Sequence, residues 1–287
     1  MSLQLCILAS GSGGNATLVR TPDCLFLIDA GIAPRVAEAR MRRLGLSIND
    51  ISAIVLTHLD HDHFHSSWIP LVAKQNIPLF VAESEVGTVR YRAAEIDLCD
   101  QLRPFDASPF EPVPGITASA HRVAHDEAGS HAFHMSGFGA RVGYATDLGH
   151  VPSALLDIFC GVDWLGIESN YDPELQRTSG RPLFLQRRIT GGRGHLSNEQ
   201  ALAAVRALLD RCEQQMRRLP RHVVLLHRSR QCNCPDLLRS LFHSEPRLRG
   251  RLTLAEQHRI SGWLDASPNS LLPAPSICGE QLAWAWG

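Results

Sequence analysis

Residues 51–65 read ISAIVLTHLDHDHFH, an apolar run that ends without a spacer in four histidines and two aspartates. The apolar part has the length and β-branched composition of a buried strand. The polar cluster at its end restricts how that strand can be used. A strand ending on a histidine fixes one ligand, and a turn directly after it returns further donors to the same point. Imidazoles and carboxylates together suit zinc, and also iron or manganese. A lone histidine would be an ordinary surface or core residue. This many, alternating with aspartates directly after AIVL, is not accounted for by packing.

The surrounding chain predicts an α/β protein. LQLCILAS, ATLVRT, CLFLIDAG, ISAIVLTH and PLFVAES read as strands punctuated by Gly, Pro and Asp, with helical patterns in APRVAEARMRRLG and SSWIPLVAKQN. A second series comes in GITASAHRVAH, HAFHMSGFGARVGYATD and DWLGIES, so two βα-rich halves are expected. In LSNEQALAAVRALLDRCEQQM, Ser197 and Gln200 make a capping box ahead of apolar residues at helical spacing, and HVVLLH is a further buried strand. We expect one domain over residues 1–260. Residues 261–287, rich in Pro, Ser and Trp, read as an irregular tail.

The 287 residues are 44% hydrophobic, enough for a sizeable core. The opening MSLQLCILASGSGG lacks an export signal's basic start and cleavage site. No window approaches the roughly 18 apolar residues of a membrane span. A soluble, cytoplasmic protein with no membrane partner is expected. In that reducing compartment the eight cysteines read as small buried hydrophobes, and the C-x-C in QCNCP has no second pair nearby to complete a zinc knot. Net charge is −1, so the overall field would not draw in a polyanion. Local charge differs: Lys74 is the single lysine among 28 basic residues, and Arg177, Arg181, Arg187, Arg188 and Arg193 crowd into QRTSGRPLFLQRRITGGRG. An ordinary solvated loop would explain them, but arginine is also the residue suited to forked phosphate contacts. No run of aromatics interleaves these arginines, so no stacking platform for single strands is expected.

THLDHDH resembles the T-H-x-H-x-D-H signature of the metallo-β-lactamase superfamily. GSGGNATLV and LIDAG before it, then VAHD, GYATDLGHV, WLGIESNYD, GRGHLSNEQA and VVLLHRS, agree in order from residue 7 to about 240. The combination is similar to the YycJ/WalJ-like branch, cytoplasmic bacterial hydrolases related to tRNA 3′-processing endonucleases and implicated as DNA exonucleases. The resemblance implies a four-layer αββα sandwich and two divalent metal ions. His58, Asp60 and His125 would hold the first ion, Asp62, His63 and His227 the second, and Asp147 would bridge. Asp60 stands where the signature has histidine. A carboxylate is a harder donor, so the ions expected are zinc, or manganese or iron given Asp60.

The chemistry implied is attack on phosphorus by a metal-bound hydroxide between ions about 3.5–4 Å apart, oriented by Asp62. The leaving oxygen needs a proton, and His195, in GRGHLSN, paired with Glu168, in IESN, matches the related enzymes' donor pair. The alternative left open is that His195 binds phosphate and Glu168 caps a strand. Arg188, Arg193 and Ser197, flanking His195, are the substrate-binding candidates. The expectation is a metal-dependent phosphodiesterase, a DNA-exonuclease-like nuclease with DNA or RNA as substrate; a homodimer is left open. Competing readings are hydrolysis of a small phosphodiester or thioester, and a binding module whose metal site Asp60 has weakened.

Overall fold

The apolar runs become strands, and the strands collect into two mixed sheets. The structure, a computed structural model, describes residues 3–267. The first half contains β1 (Gln4–Ala9), β2 (Ala16–Arg20), β3 (Leu25–Ile28), α1 (Pro34–Arg42), β4 (Ile51–Val55), α2 (Trp68–Gln75), β5 (Leu79–Ala82), α3 (Val86–Ala93) and β6 (Leu102–Phe105). The second contains β7 (Thr117–Val123), β8 (Ser130–Gly137), β9 (Ala140–Ala145), α4 (Ser153–Ile158), β10 (Trp164–Glu168), α5 (Pro173–Arg177), α6 (Leu183–Thr190), α7 (Asn198–Gln214), β11 (His222–Leu226), α8 (Pro235–His243), β12 (Leu252–Leu254) and β13 (Leu264–Asp265).

The sheet orders are β13-β1-β2-β3-β4-β5-β6 and β12-β11-β10-β9-β8-β7. Each sheet joins antiparallel strands to a parallel set: β3 to β6 run parallel in the first, β9 to β12 in the second. Central strands are therefore apolar on both faces. In β4, Ile54 packs with the helices while Ala53 and Val55 face the other sheet, the period of two that pleating imposes.

Three apolar layers result. Met41, Trp68, Val72 and Val89 pack α1, α2 and α3 on the first sheet. Phe26, Val55, Phe133, Tyr144 and Trp164 fill the space between sheets. Leu155, Leu202, Val205 and Phe242 pack α4, α7 and α8 on the second. Each such side chain removed from water contributes about 1.5–3 kcal/mol before its ordering cost. This is the four-layer αββα arrangement expected.

Two stretches differ from the sequence-based expectation. The arginine-rich stretch is not a plain loop: α5 and α6 lie within it, α6 held down by Leu185 and Ile189 against Tyr171 and Cys232. After Ser261 the chain adds β13 antiparallel to β1, while residues 268–287, most of the expected tail, lie outside the described residues. No helix among the described residues is long and apolar enough to cross a membrane.

Candidate metal centre

Parallel strands point their carboxyl ends the same way, and in such sheets that end is where ligands gather. Asp29 follows β3, Thr57 and His58 follow β4, Asp147 follows β9, Glu168 ends β10 and His227 follows β11. Asp29, Asp147 and His227 all have left-handed backbone, with φ of 61°, 53° and 51°. Non-glycine residues adopt this region at a cost that the surrounding fold must overcome, and such residues concentrate at functional sites. The turn at 58–63 is pressed close to the first sheet. A Cβ on Gly31 would lie 1.8 Å from the Asp62 carbonyl oxygen, so LIDAG must end in glycine. Asn15 fixes the same turn, its backbone N–H donating to Asp62 O at 2.7 Å. The GSGGN loop thus supports the histidine turn.

Four imidazoles are anchored through one nitrogen and aimed with the other. His63 Nδ1 donates to Asp29 Oδ2 at 2.7 Å, and Asp29 is itself held by the Thr57 N–H and hydroxyl at 2.8 and 2.9 Å. His125 Nδ1 donates to Gly194 O at 2.9 Å, and His227 Nδ1 to Glu168 Oε1 at 3.0 Å. His58 Nδ1 lies 3.0 Å from Thr57 Oγ1 and 3.2 Å from Ser130 Oγ. Their Nε2 atoms face the carboxylates: His63 is 2.8 Å from Asp147 Oδ2, His125 is 3.7 Å from Asp147 Oδ1, and His227 is 3.1 Å from Asp62 Oδ2. His58 Nε2 is buried with no hydrogen-bond partner among the described residues. A buried orphan nitrogen is costly unless something absent from the protein meets it.

The donors fall into sets whose ligating atoms lie within 4.8 Å of one another, including His58, Asp60 and His125, and Asp62, His63 and His227. Asp60 Oδ2 is 3.7 Å from His58 Nε2 and 3.9 Å from His125 Nε2, so the carboxylate in the histidine's place does face both nitrogens. His61 points outward, its exposed ring 5.2 Å from that of His65. Anchored Nδ1 atoms, converging Nε2 atoms and interspersed carboxylates form the outer-shell arrangement typical of a metal site, and the residues fit divalent ions.

Glu168 is fully buried and serves several donors. Oε2 accepts from the Leu148 N–H at 2.7 Å and the Leu196 N–H at 3.3 Å; Oε1 accepts from His227 and, at 2.7 Å, from His195 Nδ1. Burial pushes its carboxyl up, but the neighbouring imidazoles, His195 above all, hold it below the ordinary range. His195 is correspondingly raised: burial works against its charge, and Glu168 outweighs burial. Its side chain is 21% exposed, at the rim of the cluster. GRG before it is a packing necessity, since a Cβ on Gly194 would sit 2.3 Å from the carbonyl oxygens of Arg188 and Ile189.

The substrate-binding candidates are placed differently from one another. Arg188 forks onto Asp126, with Nε 3.0 Å from Oδ1 and a second, shorter contact. Ser197 caps α7, its Oγ accepting from the Gln200 N–H at 3.2 Å. Arg193 is exposed. A cleft of 180 Å³ beside His195 is lined by Ser12, Asn170, Arg181, Arg188 and Ser229. Asp29, Asn15, Thr57, Ser130 and Asn170 were not among the sequence candidates. For Asp29 the signal was present: a carboxylate ending the apolar run of LIDAG.

Without metal the cluster stores protons. Burial pushes the His227 imidazolium down, but Asp147, Asp62 and Glu168 more than reverse this and raise its pKa from 6.5 to about 10; His63 is raised likewise by Asp147 and Asp29. A pKa raised by folding adds stability that is complete below the unfolded value and lost as pH rises through the folded one. Chelated protein should therefore lose stability between about pH 6.5 and pH 10. Ions take these nitrogens only after deprotonation, so loading should release protons and tighten over the same interval. Melts of chelated protein across this range, with calorimetric titration of Mn²⁺ or Zn²⁺ in two buffers of unlike ionisation enthalpy, check both. Binding without proton release would remove these histidines from the ligand set.

A two-sheet sandwich with a His/Asp cluster at its strand ends defines a metallohydrolase class. Residues 9–210 match the family model described as "Metallo-beta-lactamase superfamily", and the chain belongs to that superfamily. Within it, the chain is 30% identical to Exodeoxyribonuclease YycJ of Bacillus anthracis over 83% of this chain and 87% of that protein. It is 27% identical to Exodeoxyribonuclease WalJ of Streptococcus pneumoniae over 83% and 86%. The fold is also that of the metallo-beta-lactamase fold protein YhfI from Bacillus subtilis, with TM-score 0.67 at 14% identity, covering 91% of this chain and 99% of that one.

Proposed function

We propose that the protein is a divalent-metal-dependent phosphodiesterase that degrades DNA from an end. The observation that carries this reading is His195, with Nδ1 on the buried Glu168 carboxylate, standing at the rim of the His/Asp cluster beside an arginine-lined cleft. The exodeoxyribonuclease names of two relatives aligned over most of the chain support the choice of DNA.

His58, Asp60 and His125 would hold one ion and Asp62, His63 and His227 the other, with Asp147 near both sets. Ions held there would supply Lewis-acid stabilisation of the phosphoryl oxygens and would lower the pKa of a water toward neutrality. Asp62, whose carboxylate faces His227 Nε2 at 3.1 Å, would orient the attacking water. Glu168 keeps His195 protonated, and Nε2 passes that proton to the departing oxygen; the resulting neutral imidazole regains a proton from solvent through its exposed edge. Arg181, whose guanidinium donates to amide oxygens of Gln231 and Gln176 and, among the described residues, pairs with no carboxylate, is placed to meet a phosphate.

The test is metal content and activity on one sample. Protein purified without chelator should carry two ions per chain by mass spectrometry, and with Mn²⁺ or Zn²⁺ should cleave both bis-p-nitrophenyl phosphate and labelled DNA. Cleavage of the small diester alone would move the reading to small phosphodiesters. One ion or none, with neither substrate cleaved, would overturn the phosphodiesterase reading.

A further inference from the structure

Helix α6, which lines the cleft through Leu185, Arg188 and Ile189, turns two other large apolar side chains into solvent. Phe184 is 74% exposed and Leu183 69%. They are not the helix's packing residues, since Leu185 and Ile189 take that part on the opposite side. The other strongly exposed hydrophobics among the described residues, Tyr91, Phe138, Met216 and Leu237, stand singly. Scattered single residues of this kind need no explanation. An adjacent pair on an element that lines the site does.

The neighbours identify the occupant. Phe184 shares a helix face with Arg187 and Arg188, three and four positions on, about 6 Å along the axis. Arg187, Arg188 and Arg193 line an open groove of 560 Å³, whose other wall is Asp126, Glu127 and Ala128. Arg188 and Asp126 also line the cleft with His195, so groove and cleft adjoin. Among the described residues Arg187 and Arg193 have no acidic partner, in a protein whose net charge is −1. An apolar peptide would bring no charge to meet these cations, and a second copy of this chain, with a net charge of only −1, offers no dense run of negative charge. A nucleic-acid strand brings phosphates for the arginines and a base face for the phenyl ring.

We infer that Phe184, flanked by Leu183, is a stacking platform for an unpaired base of the DNA strand whose phosphates lie along Arg187 and Arg193. This rests on the nuclease reading and adds to it a preference for single-stranded ends. It departs from the sequence-based expectation of no stacking platform. Phe184 is a positioning residue: it touches a base away from the bond that breaks.

Stacking on one aromatic is worth about 1–3 kcal/mol per base, or roughly 5- to 150-fold in affinity. Phe184→Ala should raise KM by at least about fivefold on DNA with an unpaired end, with kcat on that DNA and hydrolysis of bis-p-nitrophenyl phosphate within about twofold of wild type. Phe184→Trp should restore KM. Anisotropy of a labelled single strand, which needs no turnover, should show the same loss and rescue. If wild type binds the strand through Phe184 but cleaves no DNA, the nuclease reading fails and the platform stands. Three results would overturn the platform: unchanged binding and KM in Phe184→Ala, equal losses on both substrates, or conversion of a wild-type dimer to monomers by that substitution.

Discussion

Replacing Asp147 by alanine is expected to lower kcat/KM on any phosphodiester by more than about 10³-fold, a larger loss than removal of one preorganised hydrogen-bond donor gives. The Asp147 carboxylate faces four histidines at once. Asp147 is 2% exposed, and its oxygens lie 2.8 Å from His63, 3.4 Å from His227, 3.5 Å from His195 and 3.7 Å from His125. Alanine removes a donor that both proposed ion sets would share. It also takes one of the carboxylates from the buried imidazoliums of His63, which keeps Asp29, and His227, which keeps Asp62 and Glu168, so metal-free protein should lose stability at neutral pH. Asp147→Asn retains the shape and separates the two effects: it should fold with an altered metal count and still fail to turn over. Steady-state kinetics, mass-spectrometric metal counts and thermal melts on both variants check this. An Asp147→Ala protein as active as wild type would sink the dinuclear mechanism.

His195→Ala should cost about 10²–10⁴-fold in kcat on DNA, the range for loss of a general acid. The choice of substrate makes this informative. A nitrophenolate departs without a proton, so bis-p-nitrophenyl phosphate should lose far less, and its pH profile should keep its form. The alkoxide leaving from DNA needs the proton, so in wild type the DNA rate should fall as pH rises through the elevated His195 pKa. In the variant that alkaline limb should vanish. Equal losses on both substrates would assign His195 to phosphate binding, with Glu168 as its support.

The proposed metal ligands that end an apolar run were legible as polar residues at strand ends: a strand's side-chain alternation and sudden polarity are both written in adjacent letters. His58, Asp147 and His227 are of this kind. Gly194 holds His125 through a carbonyl, which every residue possesses, so no letter announces it. Asp126 and Arg188 meet across 62 positions of sequence, and nothing in the arginine-rich stretch reveals that one fork is already taken. Phe184, within PLFLQ, looks like any core residue. Its exposure follows from which side of α6 Leu185 and Ile189 turn inward, and the packing of Tyr171 and Cys232 decides that. The layers of the fold were legible for the same reason as the ligands, while α5 and α6 are short helices stabilised mainly by tertiary contacts.

Asp29, Asp147 and His227 turn left-handed directly off their strands, so these ligands and their support belong to the sheets themselves, whereas the arginines and Phe184 ride on the excursion between β10 and α7. The molecule is in this sense a fixed candidate metal centre with an exchangeable rim. Residues 172–193 leave and rejoin the frame within a short span, next to Ser169 and Asn170 at one end and His195 at the other. A graft of that span from another member of the superfamily would change what is presented to the strand-end residues, provided that it keeps the Ile189 and Arg193 carbonyls that hold the His195 and Asp126 backbone N–H groups.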